Sequence, residues 1–179
     1  MNNEKQILIK VQNKDKYAFR ELFDLYQHKI YNYTLSLIRN KDDSLDIVQN
    51  VFKNVWLKIN RYNLEKEFSP WIYKITTNMC KDYWRKNSRK NANELLIEPE
   101  KIGYNSIGSY MEFTSNDIIS IVNILPKKQK LIYILRDLQE LSISDVSSIL
   151  SISKSSVKTN LFHARKALQL HLTKFNQDE

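Results

Sequence analysis

The sequence predicts an all-α chain, two small helical domains joined by a flexible linker. Three observations carry this. Residues 1–69 contain neither glycine nor proline. Apolar side chains recur there, and again from about Asn116, at steps of three and four, the repeat of one helix face. Gly103, Gly108 and Pro99 instead gather in one acidic stretch where that repeat fades.

A short leading helix is expected near 3–13. From Phe19 the stripe Leu22, Phe23, Tyr26, Ile30, Tyr33 and Leu37 sets a helix over about 16–39. Asp42 or Asp43 offers the N-cap of the next, with Leu45, Val48, Phe52, Val55, Trp56 and Ile59 inward and an end near Asn60. Ser69-Pro70 reads as a cap followed by proline at the first helical position, opening a helix to about Asn87 with Ile72, Ile75, Met79 and Tyr83 inward. These elements make a first domain of residues 1–90, followed by a linker over 91–113 and a second domain over 114–179. There Pro126 starts a helix, and Ser142 with Asp145 has the form of a capping box ahead of Val146, Ile149 and Leu150. Ser151-Ile152-Ser153 is a turn, and Ser153 caps a last helix whose inward stripe is Val157, Leu161, Ala164, Leu168 and Leu172. Two helices joined by three residues, the second basic, make a helix-turn-helix.

Composition narrows the chemistry. Lys and Arg number 28 against 20 Asp and Glu, a net charge of +8, which favours a polyanionic partner. Two glycines in 179 residues exclude the Gly-rich loops that cradle phosphates by close backbone approach, and an enzyme is not expected. One cysteine and three scattered histidines provide neither a disulfide nor a metal quartet, so no cofactor or metal is expected. Cys80 reads as a packing residue rather than a nucleophile. The mean hydropathy is −0.51, no long apolar run is present, and the start MNNEKQILIK lacks a signal-peptide core; the expected location is the cytoplasm with no membrane span.

Charge is concentrated on two helices. The helix after Pro70 aligns Lys74, Asn78, Lys81 and Arg85, a ridge able to track a phosphate backbone, with Asp82 the only acid between 71 and 91. Beside it Tyr73, Thr77, Cys80 and Trp84 line up, so aromatic faces next to cations suggest stacking of unpaired bases. Read without the second domain, such a ridge is more simply a solvated face with a core behind it. In the last helix Lys154, Lys158, His163, Arg165 and Lys166 meet no acid between 151 and 167, while Ser155, Thr159, Phe162 and Lys166 share the face away from the inward stripe, where a recognition helix carries its base-reading groups. The ridge Asp46, Gln49, Asn50 and Lys53 reads on physics alone as a solvated face.

The segments AFRELFDLYQHKIYNY, DIVQNVFKNVW, FSPWIYKITTNMCKDYWRK and LPKKQKLIYILRDLQELSISDVSSIL followed by SVKTNLFHARKAL, in that order, resemble the RNA polymerase sigma-70 family, in its extracytoplasmic-function subgroup. The resemblance covers about residues 5–172, linker excepted. It implies that the first domain is region 2, docking on core RNA polymerase and opening the −10 element, and that the second is region 4, reading the −35 element of promoter DNA. It turns the Asp46 ridge into a core-binding site, since Asp46 and Gln49 match the family's D-x-x-Q motif, with Asn50 and Lys53 beside them. The loop from Arg61 to Trp71 corresponds to the one that captures a flipped base, with Arg61, Tyr62, Asn63 and Trp71 as candidates. Lys154, Ser155, Lys158, Thr159, Asn160, Phe162, His163 and Lys166 fall to the −35 element.

The chain departs from the family pattern at Asn50, where an acid is usual, at Ser151, where glycine is usual, and at Asn160 and His163, which replace two arginines. Ser151 must tolerate a positive φ or re-route the turn. The resemblance implies a sigma initiation factor, with an anti-sigma factor as a candidate partner. The rival reading is a freestanding two-domain helix-turn-helix regulator, which leaves the single-strand face and the D-x-x-Q ridge without a use.

Overall fold

The computed structural model describes residues 3–93, 122 and 124–175. These residues form seven α-helices and no strand: α1 (Asn3–Gln12), α2 (Lys16–Ile38), α3 (Lys41–Lys58), α4 (Phe68–Asn93), α5 (Lys127–Tyr133), α6 (Ile143–Leu150) and α7 (Lys154–Phe175). A 3-10 turn, Ile59–Arg61, follows α3, and α5 passes into a π-helical turn, Ile134–Leu138.

Capping chemistry explains most of the boundaries. The Asp15 carboxylate accepts from the N–H groups of Tyr17 and Ala18 at 2.8 and 3.2 Å and starts α2. The cap of α3 is Asn40, whose side-chain oxygen accepts from the Asp43 N–H at 3.0 Å, and not Asp42 or Asp43 as expected. Those acids occupy the first turn instead, where the helix dipole favours them. The register places Ser44 inward, so the buried stripe of α3 is Ser44, Ile47, Val48, Val51, Phe52 and Val55 and Leu45 is left exposed. Ser69 is not the cap of α4, which begins at Phe68; Pro70 sits within the first turn, where its missing N–H would have no intrahelical partner. α4 also runs past Asn87 to Asn93, three residues into the stretch expected as linker. The remainder of that stretch and the helical restart near Asn116 lie outside the described residues.

α2 and α3 run antiparallel. Phe19, early in α2, meets Trp56, late in α3, at 4.9 Å between ring centroids, and Phe23 meets Phe52 at 4.6 Å. With Leu22, Ile30, Val51, Val55 and Ile72 fully buried, α1 to α4 make one bundle. In the second module α5, α6 and α7 enclose Ile132, Leu135, Val146, Val157 and Ala164. The two modules touch: α4 packs on α6, the Tyr73 hydroxyl hydrogen-bonds to the Gln139 side-chain oxygen, and the Lys127 ammonium lies 5.8 Å from the centre of the Trp84 ring.

Both glycines lie outside the described residues, and helix ends use left-handed backbone at non-glycine positions: Arg39 with φ 63° after α2 and Ser151 with φ 55° after α6. Ser151 therefore tolerates the positive φ, and its N–H and that of Ile152 both return to the Ser147 carbonyl. Left-handed backbone costs a residue with a Cβ about 1–2 kcal/mol, and glycine forfeits about 0.4–1 kcal/mol through the freedom of the unfolded chain. Ser151→Gly is expected to raise stability by about 0.5–1 kcal/mol, read as a higher denaturation midpoint at unchanged slope. A lower midpoint would mean that the serine hydroxyl contributes more than the backbone loses.

Cys80 is fully buried, and desolvation pushes its thiol up to about 12, so the nucleophilic thiolate is suppressed near neutral pH. Its labelling by a disulfide reagent at pH 8 is expected to track global unfolding across a denaturant series. Rapid labelling of the native chain would contradict this placement.

Candidate nucleic-acid interface

Three surfaces collect the residues singled out from the sequence. On α3, Asp46, Gln49, Asn50 and Lys53 are all exposed. Among the described residues Asp46, Gln49 and Lys53 make no side-chain hydrogen bond or ion pair, whereas the Asn50 amide donates to the Asp46 carbonyl at 2.8 Å and is turned back along its own helix. Exposed polar groups that do nothing for the bundle are free to meet a partner.

The second surface is α4 with the loop before it. Arg61, Asn63, Lys74, Asn78, Lys81 and Arg85 are exposed, and Trp71 and Trp84 are half-buried. Arg85 is bridged to Asp82 at 3.0 Å, which lowers the net charge of the ridge. The face carrying Tyr73, Thr77 and Cys80 corrects the stacking expectation: Tyr73 is 3% exposed and Thr77 and Cys80 are 0% exposed. The Tyr33 hydroxyl is paired with Thr77 Oγ1 at 2.7 Å, and its ring stands edge-on to Tyr73 at 5.2 Å, so this side of α4 is core. Tyr62 is likewise 5% exposed, with its hydroxyl on the Lys66 carbonyl and its ring between Phe68 and Trp71. It shapes the loop and supports Trp71 rather than presenting a free face. Burial raises the hydroxyl pKa of both tyrosines, which therefore stay neutral donors.

The third surface is α7. The Ser153 hydroxyl accepts from the Ser156 N–H at 3.1 Å and starts the helix, as the sequence suggested, and Ser142 accepts from the Asp145 N–H at 3.1 Å to start α6. Val157, Leu161, Ala164 and Leu168 are buried, which turns Lys154, Ser155, Lys158, Thr159, Phe162, His163 and Lys166 outward. Phe162 is 64% exposed, its ring centroid 5.6 Å from that of His163 in an edge-on arrangement. Two residues differ from the expectation. Asn160 is half-buried and donates to the Ser156 carbonyl at 2.8 Å. Arg165 has an acid partner after all: Nε and Nη2 reach the two carboxylate oxygens of Asp137 at 2.8 and 2.7 Å. That fork ties α7 to the π turn and commits the arginine to packing.

Asp137 and Gln139 are the residues that sequence reasoning missed. Their partners lie 28 and 66 positions away, and neither pairing leaves a local signal. Among the described residues no group of three His, Cys, Asp or Glu side chains could hold a metal, and no helix is long and apolar enough to cross a membrane.

Comparison with known proteins matches residues 22–90 to Sigma-70 region 2 and residues 115–168 to Sigma-70 region 4. The chain is 26% identical to the ECF RNA polymerase sigma factor SigW of Bacillus subtilis, over 94% of this chain and 96% of that protein. It is 27% identical to the ECF RNA polymerase sigma-E factor of Haemophilus influenzae, over 93% of each. Among solved structures, CnrH in complex with the cytosolic domain of CnrY is similar at a TM-score of 0.71 and 16% identity, covering 96% of this chain and 97% of that one. The sigma factor RpoE of Bartonella quintana, in complex with the anti-sigma factor NepR, gives a TM-score of 0.71 at 23% identity, covering 87% and 96%.

Proposed function

The chain belongs to the RNA polymerase sigma-70 family, in its ECF subgroup, and from that premise we propose how its surfaces divide the work of a factor that directs promoter transcription initiation. It is not an enzyme; its contribution is binding energy placed on polymerase and promoter. Residues 1–90 act as region 2, 91–113 as linker and 114–179 as region 4. Asp46 and Gln49, flanked by Asn50 and Lys53, dock on core polymerase. Arg61, Asn63, Lys74, Asn78, Lys81 and Arg85 hold the opened −10 strand, with Trp71 and Trp84 as stacking edges and Tyr62 and Tyr73 behind them. The outward residues of α7 meet the −35 duplex.

The observation that carries this reading is the pairing of two modules in one chain. One presents an exposed D-x-x-Q ridge and a cationic α4, the other an outward basic face on the second helix of a helix-turn-helix. A freestanding regulator would need only the second. The protein works in the cytoplasm, where core polymerase is, and an anti-sigma protein engages it. Support for that partner comes from the RpoE relative of the same fold, whose structure holds the anti-sigma factor NepR. Reconstitution with core polymerase and sequencing of the initiated transcripts tests the reading. Defined start sites appear only when chain and core are both present; equal occupancy of the same promoters by the chain without core would favour the freestanding regulator.

A further inference from the structure

α1 carries none of the residues assigned to polymerase or DNA, yet polar side chains of α1 and its end reach one segment of the chain in strict reverse order. The Lys14 ammonium, two residues past the end of α1, donates to the Trp56 carbonyl at 2.8 Å and lies 5.0 Å from the centre of the Trp56 ring. The Gln12 amide nitrogen donates to two carbonyls, that of Ile59 at 2.9 Å and that of Tyr62 at 2.8 Å. The Lys5 ammonium meets the Glu65 carboxylate at 2.9 Å. Glu4 accepts from the Tyr26 hydroxyl, which is paired in turn with the Ser69 hydroxyl at 3.1 Å. The contacted positions therefore run from the last turn of α3 to the first turn of α4 and span the loop between them.

α1 is itself fixed. Ile7, Leu8 and Val11 are buried against the bundle, and the N–H groups of Asn13, Lys14 and Asp15 return to the carbonyls of Ile9, Val11 and Lys10 to close the helix before α2 begins. The tie points differ in weight. Lys5 and Glu65 form an exposed pair, and such pairs contribute little in water. The Gln12 amide is half-buried, and its two acceptors stand on either side of Arg61 with Asn63 next along the chain. Groups carried on a loop discriminate between ligands only when the backbone beneath them is held in place before the ligand arrives. We infer that α1 is a splint for the loop between α3 and α4, and that Gln12 is a positioning residue for recognition of the opened −10 strand, acting through the backbone that carries Arg61 and Asn63. The inference rests on the assignment of that loop to the opened strand made above.

The test uses the full chain, free and as holoenzyme. Gln12→Met keeps a long, unbranched, helix-compatible side chain and removes both donors. In the free variant, hydrogen exchange at the Tyr62, Glu65 and Lys66 amides, which are bonded within the loop, is expected to accelerate about tenfold, while exchange in the middle of α2 and α3 stays where it is and shows that the bundle persists. Assembled on core polymerase and given one promoter library randomised in the −10 element and another in the −35 element, the variant is expected to lose about tenfold in discrimination at one or two −10 positions, with core affinity and −35 preference unchanged. A merely structural role would lower the yield from every promoter alike and leave both preferences intact. Should Gln12→Met not fold, Gln12→Asn, which withdraws the amide by one methylene, is read in the same way. Unchanged exchange in the loop overturns the splint. Faster exchange with an unchanged −10 preference overturns the positioning role, and Asn63→Ala then separates the causes: if it flattens the −10 preference, the loop assignment stands and only the part given to Gln12 is wrong, and if it does not, the assignment itself fails.

Discussion

Alanine at both Asp46 and Gln49 is expected to weaken binding to core polymerase by at least about thirtyfold while leaving the thermal midpoint of the chain unchanged. The two effects separate because the side chains are exposed and make no side-chain hydrogen bond or ion pair among the described residues, so folding changes by no more than about 0.5 kcal/mol. At a protein interface the same groups are desolvated against a partner, and truncating one side of such a charged pair costs about 2–5 kcal/mol, a factor of thirty or more. Asn50 adds a directional control. Its amide is occupied by the Asp46 carbonyl, so it supplies no acid where the family usually has one, and Asn50→Asp is expected to tighten the complex. Co-purification and equilibrium titration with core measure both changes; undiminished binding by the double variant would remove the ridge from the interface.

What the sequence disclosed and what it withheld follow one physical line. The inward stripes of α2 and α7, the Ser142 and Ser153 caps and the turn at Ser151 are set by residues within four positions of one another, and they were readable as patterns. Leu45 was misplaced because the buried face of α3 runs through Ser44, Ile47 and Val51 as well as the expected Val48, Phe52 and Val55, and a small buried Ser44 leaves no pattern that separates it from its exposed apolar neighbour. Tyr73 and Tyr62 were misread for a different reason. An aromatic beside a lysine looks the same in sequence whether its ring faces solvent or a neighbouring helix, and only the approach of Tyr33, and of Phe68 and Trp71, decides it. The acid-free stretch of α7 concealed the Asp137–Arg165 fork because a count of local charges cannot see an acid 28 positions upstream. The ridge proposed for docking is the opposite case: physics alone leaves it a solvated face, the structure shows it exposed, and the partner we propose for it comes only from the family's D-x-x-Q motif.

Reading and gripping separate on α7, and the second large effect is expected there. Lys158 is exposed, with no side-chain partner among the described residues, at the edge of the outward face, where an ammonium neutralises phosphate whatever the base sequence. Lys158→Ala should weaken all −35 sequences about equally and flatten the log–log salt dependence by roughly one unit. Phe162 and Thr159 are different. A ring 64% exposed on a helix, held edge-on by His163, can meet a thymine methyl, and a short hydroxyl can meet a base edge. Phe162→Ala should therefore relax the preference at one or two positions, each by about 1–3 kcal/mol, with the salt slope unchanged. Asn160→Arg tests the remaining departure. The asparagine amide is spent on the Ser156 carbonyl, so the substitution removes no base contact and adds a cation, and it should tighten binding without altering the preferred sequence. A randomised −35 library transcribed by the holoenzyme at two salt concentrations reads all three variants together. The division fails if Lys158→Ala changes the sequence preference while Phe162→Ala only lowers yield, because the groups assigned to phosphate and to base would then have exchanged roles.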